Sequence, residues 1–180
     1  MIEFLQNNYL GIIVTGLFTS LISAITFLYI LNLLRPKIEI SPQISKGLSL
    51  KNELKYSIKV INKTKFNIYD IKAQLHIIRK HQTPSGEIEK SELIELKRNV
   101  PFVLKKFDKK DTSYDYVFRF VTYVDLESIW VDDSKDILRF RMICKHQISG
   151  VLDCFEQNYR VKKSVIKNGD FKAGNLFEIY

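Results

Sequence analysis

Residues 54–77 read LKYSIKVINKTKFNIYDIKAQLHI. Leu54, Tyr56, Ile58 and Val60 alternate with Lys55, Ser57 and Lys59. After the polar run Asn62-Lys63-Thr64-Lys65 the beat returns, with Tyr69, Ile71, Ala73, Leu75 and Ile77 set against Asp70, Lys72, Gln74 and His76. Successive side chains on a strand point to opposite faces, so a period of two describes a strand with one apolar and one wet face. An amphipathic helix would instead repeat its apolar residues every three to four positions. The stretch therefore predicts two half-buried strands joined by a turn.

The same beat extends outward. Ile38 and Ile40 form a short first strand, and Thr83-Pro84-Ser85-Gly86 breaks the chain after the second long one. Weaker strands are expected near Leu93–Leu96 and Val100–Leu104. A stronger one places Tyr114, Tyr116, Phe118 and Phe120 on one face and Arg119 on the other. Asp125-Leu126-Glu127-Ser128 reads as a turn or a single helical turn leading to Trp130. Leu138, Phe140, Met142 and Cys144 then alternate with Arg139, Arg141 and Lys145, and Ser149-Gly150 turns into a strand carrying Val151, Phe155 and Tyr159. A last strand falls either at Ser164–Ile166 or near Leu176–Ile179. Many short strands with turn signals between them, and no amphipathic helix, predict an all-β sandwich or small barrel.

The N-terminus obeys different rules. No charged residue occurs from Phe4 to Leu34, a run longer than the ~20 residues that cross a hydrocarbon core of ~30 Å. Residues 9–34 are read as one transmembrane α-helix, 1–8 as a short extracytoplasmic N-terminus, 35–51 as a connector containing the first strand, and 52–180 as the β-domain. A signal peptide would need a basic n-region and a small-residue cleavage site, and neither is present. Arg35 and Lys37 follow the span, whereas Glu3 is the one charged side chain before it. The positive-inside rule then puts the domain in the cytoplasm, and the layout suits a single-pass protein of a bacterial inner membrane. Gly16, Ser20 and Ala24 anchor a stripe of small residues that includes Gly11, Thr15, Thr19 and Ser23. Such stripes allow close helix association in lipid, so a homo-oligomer formed through this helix is expected.

All 28 Lys and Arg lie at or beyond Arg35, giving the part after the span a net +9 (28 bases against 19 acids). A surface this basic suits an anionic neighbour, or is simply well solvated. Arg119, Arg139, Arg141, Lys145 and Arg160 are the candidate ligand-binding residues, with Tyr123 placed to stack on a base. Arg35 and Lys37 are assigned to the membrane surface, and Lys105, Lys106, Lys109 and Lys110 form a second cluster. Cys144 and Cys154 are too few for a disulfide framework and are read as small core residues facing each other across a hairpin. His76, His81 and His146 lack metal-ligand spacing, and Asp132-Asp133 reads as a solvated turn, so no metal or cofactor is assigned. No nucleophile–base set is legible, so the reading is non-enzymatic.

Residues 140–171 read FRMICKHQISGVLDCFEQNYRVKKSVIKNGDF. This resembles the late part of the cytoplasmic immunoglobulin-like sandwich of inward-rectifier potassium channels, in which a strand, a Gly turn, a strand ending in Tyr and a Gly-aromatic step follow in order. Ser149-Gly150, Tyr159, Gly169 and Phe171 stand in the matching places. The resemblance implies a sandwich; the pore helix and selectivity filter of that family are absent. In layout alone the chain is similar to the membrane-anchored effectors of bacterial cyclic-oligonucleotide antiviral signalling. The reading is thus a membrane sensor-effector that binds an anionic small molecule or nucleotide messenger. The alternative is an adaptor that docks a protein partner through its β-domain.

Overall fold

The computed structural model describes residues 2–133 and 135–180, and the side chains of 9 and 11 onward within its first helix. Glu3, the acidic flank of the span, lies outside the described side chains. The chain divides at Arg35/Pro36 into two compact units.

The first unit is α1, Ile2–Leu33. The helix itself begins at Ile2, ahead of the expected span, because nothing before Tyr9 breaks it. Its segment Gly11–Leu33 has 23 residues and a mean hydropathy of 2.0. At 1.5 Å per residue that is about 34 Å, enough to cross a membrane. The hydroxyls of Thr15, Thr19 and Ser23 donate to the carbonyls of Gly11, Thr15 and Thr19, each at 2.8 Å. The small-residue stripe therefore satisfies its own polar groups and leaves an open, shallow groove beside Gly11 and Gly16.

The second unit is mostly β. Its elements are β1 (Ile38–Ile40), β2 (Ile44–Leu48), β3 (Leu54–Asn62), β4 (Ile68–Thr83), β5 (Gly86–Ile94), β6 (Val103–Leu104), β7 (Val117–Thr122), α2 (Leu126–Ile129), β8 (Asp136–His146), β9 (Leu152–Tyr159), α3 (Lys162–Val165) and β10 (Ile166–Asn168). β3 is the centre of the first sheet. β7 runs antiparallel along one edge, from Tyr56↔Thr122 to Ile61↔Val117. β1 and β2 share the other edge end to end, and β10 adds parallel to β2. Ser41 sits at the break between them: its N–H donates to the Lys59 carbonyl at 2.8 Å and its Oγ accepts from the Lys59 N–H at 3.1 Å. In the second sheet β4 is central, with β8 on one edge, β5 and β6 sharing the other, and β9 outside β8.

The two sheets share one apolar core. Phe120 of β7 meets Phe140 of β8 with ring centroids 5.2 Å apart, and the Tyr159 hydroxyl donates to the Ser41 carbonyl at 2.8 Å. Asp125 caps α2 by accepting from the Glu127 N–H, and it also accepts the Tyr56 hydroxyl. This single turn delivers Trp130 to the core, where it is fully buried.

Several sequence expectations change. β5 covers 86–94 rather than 93–96; most of it is exposed on both faces, so it shows no apolar alternation. Tyr114 stands before β7 with φ 54° and its side chain exposed, while Tyr116 is buried beside Phe107. Cys144 pairs with Asp153 and Cys154 with Ile143, an offset of one residue that puts the cysteines on opposite faces. Cys144 is buried, which pushes its thiol up to about 12, whereas Cys154 is exposed.

β3 departs furthest from its expected half-burial, because Tyr56 through Asn62 are buried on both faces. Residues 169–180 form the cover. They double back through a Phe171↔Ile179 bridge and the paired backbones of Asp170 with Tyr180 and Lys172 with Glu178. Gly169 permits this at φ 115°, where a Cβ would lie 2.0 Å from the Tyr180 carbonyl oxygen.

Candidate anion-binding site

The outer face of the second sheet carries the basic row read from β8. Arg141 donates through Nε and Nη2 to one Glu156 oxygen at 3.1 and 2.8 Å. Arg139 donates to Asn158 at 2.9 Å and lies 3.2 Å from Glu156. Lys145 reaches Asp70 at 3.9 Å. The Arg141 hydrogen bond holds the Glu156 carboxyl below its usual range. Burial, then Arg141 and Arg139, lowers the pKa of His76 across on β4, so its imidazole adds no charge near neutral pH. The β8 row is assembled as the alternation predicts, and cross-strand carboxylates compensate it.

Arg119 is on the other sheet, so the structure separates it from Arg139, Arg141 and Lys145. Arg160 follows β9 near Lys80, away from the middle of the row. On the first sheet Arg119 stands directly across from Lys59 in the β3–β7 register. Lys59 is fully buried. Its ammonium donates to the carbonyls of Lys172 at 2.7 Å and Leu176 at 2.6 Å, and lies 5.9 Å from the Phe171 ring centroid. Arg119 Nη2 donates to the Phe171 and Lys172 carbonyls at 2.7 and 3.3 Å. Burial first, and then the Arg119 charge, lowers Lys59 to about 8. These two cations have neutral carbonyls as partners and no carboxylate within ion-pair distance among the described residues.

Beside Arg119 opens a cleft of about 340 Å³ lined by Lys97, Arg98, Val117, Phe118, Val121 and Tyr123 together with Arg119 itself. Two features create it. β7 keeps an incompletely paired outer edge, and the strand-leaving segment after β5 crosses that edge with the Lys97 N–H donating to the Val121 carbonyl at 2.8 Å. Arg98 makes no hydrogen bond or ion pair with any described residue. The Lys97 ammonium sits 4.9 Å from the Tyr123 ring centroid and 3.3 Å from its hydroxyl, which lowers the phenol pKa. Three cations and no carboxylate line the cleft, with an aromatic ring at its mouth. Beyond Tyr123 the surface turns mixed, with Lys51, Glu53 and Glu95.

The size falls within the lower range of small-ligand sites, and guanidinium groups match phosphate oxygens in geometry as well as charge. Sequence reading found Arg119 and Tyr123 but missed Lys97 and Arg98. Their signal was a Lys-Arg pair after Leu96, in a segment with no periodicity. Among the described residues no group of His, Cys, Asp and Glu is placed to hold a metal ion. Asp133 instead accepts the Lys162 N–H at 3.0 Å. His146 is buried, its Nδ1 facing the Ser149 N–H and hydroxyl.

No family model matches the sequence, and no curated protein matches it either. Among solved structures the chain is similar to the sporulation control protein Spo0M from Bacillus subtilis. Identity is 14%, the match covers 70% of this chain and 49% of that one, and the TM-score is 0.40. The chain thus spans about half the length of that protein, and a likeness at this level carries no argument about function.

Proposed function

We propose that this chain is a membrane-anchored sensor-effector whose β-domain binds an anionic small molecule. A phosphate-bearing nucleotide messenger is the class that best suits three cations beside an aromatic ring. The observation that carries the reading is the Lys97–Arg98–Arg119 cleft, where positive charge stands without carboxylate compensation. In this reading the two sheets form an immunoglobulin-like sandwich in the cytoplasm and α1 spans the bacterial inner membrane with its N-terminus outside. Copies assemble through Gly16, Ser20 and Ala24, and the output is a change in the membrane, as in an antiviral effector. Ligand binding drives assembly only by favouring the assembled state, so affinity and assembly must rise together. No catalytic step is part of this reading.

The test is thermal unfolding of the detergent-solubilised full chain with inorganic phosphate, pyrophosphate and a cyclic dinucleotide. A higher midpoint with pyrophosphate or the dinucleotide, cancelled by Arg98→Glu, supports the sensor. No response to any of the three removes it. Depolarisation on induced expression, lost in both Arg98→Glu and Gly16→Leu, would join the cleft to the helix.

One observation favours the adaptor as a second reading. β9 is the outermost strand of its sheet, and no described strand pairs with its far edge. Such an edge is suited to adding a partner's strand. A partner that remains bound to Arg98→Glu but leaves when Asn158 is replaced by Pro would mark that use.

A further inference from the structure

The chain enters its β-domain at Pro36-Lys37, and hydrogen bonds gather three distant loops around that point. The Lys63 N–H donates to the Lys37 carbonyl, and the Lys37 N–H to Thr64 Oγ1, both at 2.8 Å. The Thr64 carbonyl accepts the Phe107 N–H at 2.9 Å. Asn62, fully buried, sends its amide to the carbonyls of Lys105 at 2.7 Å and Phe66 at 3.0 Å. Asn67 accepts the Lys106 N–H on its side chain at 2.8 Å and the Gln147 N–H on its carbonyl at 3.2 Å. Loops 62–67, 104–111 and 147–150 are thereby stitched to the first residues after the helix. Lys37 lies four residues past Leu33, at most about 14 Å of extended chain.

The charges in these loops divide in two. Lys63 and Lys105 are paired with Glu39 and Asp115 at 3.2 and 2.6 Å. Lys65, Lys106, Lys109 and Lys110 are exposed, and their ammonium groups meet no partner among the described residues. The acids nearby turn inward on their own loop: Asp108 accepts the Lys110 N–H at 2.9 Å, and Asp111 accepts the Ser113 N–H and hydroxyl at 2.9 and 2.6 Å. Next to the lysines stand two bare apolar side chains. Ile148 is 60% exposed at the tip of the loop tied to Asn67. Phe102 is 82% exposed and lies edge-on to Tyr69, whose hydroxyl accepts from Asn67 at 3.3 Å. Lysines interleaved with exposed apolar groups describe a surface for a membrane interface, where each lysine near anionic headgroups gains about fivefold in occupancy.

We infer that this end of the domain is a membrane-docking surface: Lys65, Lys106, Lys109 and Lys110 bind anionic lipid headgroups around the point of entry, with Ile148 and Phe102 seated among them. The inference rests on the reading that α1 spans the bilayer. It extends the membrane-facing set beyond Arg35 and Lys37 to residues far away in sequence.

The test is hydrogen exchange of the full chain in nanodiscs of phosphatidylcholine alone and of phosphatidylcholine doped with phosphatidylglycerol. Amides of loops 62–67, 104–111 and 147–150 should exchange about tenfold more slowly in the anionic discs. High salt should remove the difference, because at about 1 M the headgroup attraction is screened within about 3 Å. The quadruple variant Lys65→Glu/Lys106→Glu/Lys109→Glu/Lys110→Glu should also remove it, with β3 and β8 amides still protected. Arg139→Glu/Arg141→Glu, a charge reversal elsewhere on the domain, should leave it intact. Equal exchange in the two lipids, with the chain incorporated in both, overturns the docking surface alone. Failure to enter either disc overturns the spanning helix, and the docking surface with it.

Discussion

One group of cations on each sheet is held in the opposite way to the other. On the second sheet Arg139, Arg141 and Lys145 lie in a row, and Glu156 and Asp70 stand across from them as compensation. On the first sheet Lys59 and Arg119 lie side by side and hold only backbone carbonyls. Lys97 and Arg98 then enlarge that uncompensated charge at the edge of β7. From sequence the β8 row is the more conspicuous, yet a cation already paired with a carboxylate gains little from a phosphate. The partner of a charge, more than its density along the chain, decides which surface is free to take an anion.

The comparison breaks hardest at Lys59. Replacing it with Ala leaves the Lys172 and Leu176 carbonyls without their donor and opens a cavity, which should cost about 3 kcal/mol in chemical denaturation. Loss of under about 1 kcal/mol would mean that residues 169–180 are not held by this ammonium. Next in size is Lys97→Glu/Arg98→Glu, which should weaken pyrophosphate binding by about a hundredfold in titration calorimetry while leaving stability nearly unchanged.

A pH series sharpens the same contrast. Lys59 titrates at about 8 when folded, below its ordinary 10.5, so the unfolded chain binds more protons between those values. Stability should therefore rise with pH through that window, by roughly 3 kcal/mol, as the cost of burying the ammonium is relieved. Below about pH 8 that cost is present in full. Lys59→Met should remove the slope; an identical slope in the variant would assign the titration elsewhere. The smallest effect is expected from Glu156→Gln. Losing these partly exposed pairs should cost no more than about 1 kcal/mol, and the freed Arg139 and Arg141 should begin to bind phosphate weakly.

Alternation made most of the β-domain legible. Strands with one dry face, such as β8 with Leu138, Phe140 and Met142 inside, were read with their facing correct. Lys59 was read as solvated because alternation records the near face alone. What covers the far face is residues 169–180, more than a hundred positions away. β5 failed for the converse reason, since a strand wet on both sides has no period. Lys97 and Arg98 belong to an aperiodic crossing segment, and the hydrogen bond from the Lys97 N–H to the Val121 carbonyl of β7 brings them to Arg119. The cleft is a product of topology, and a single sequence carries no pattern for it.

The most direct measurement is equilibrium dialysis of labelled pyrophosphate against the full chain in detergent. Wild type would be run beside Lys97→Glu/Arg98→Glu and Arg139→Glu/Arg141→Glu. The account predicts that the first variant loses binding and the second keeps it within about threefold of wild type. Binding that survives in the first and disappears in the second would place the site on β8 and contradict the account.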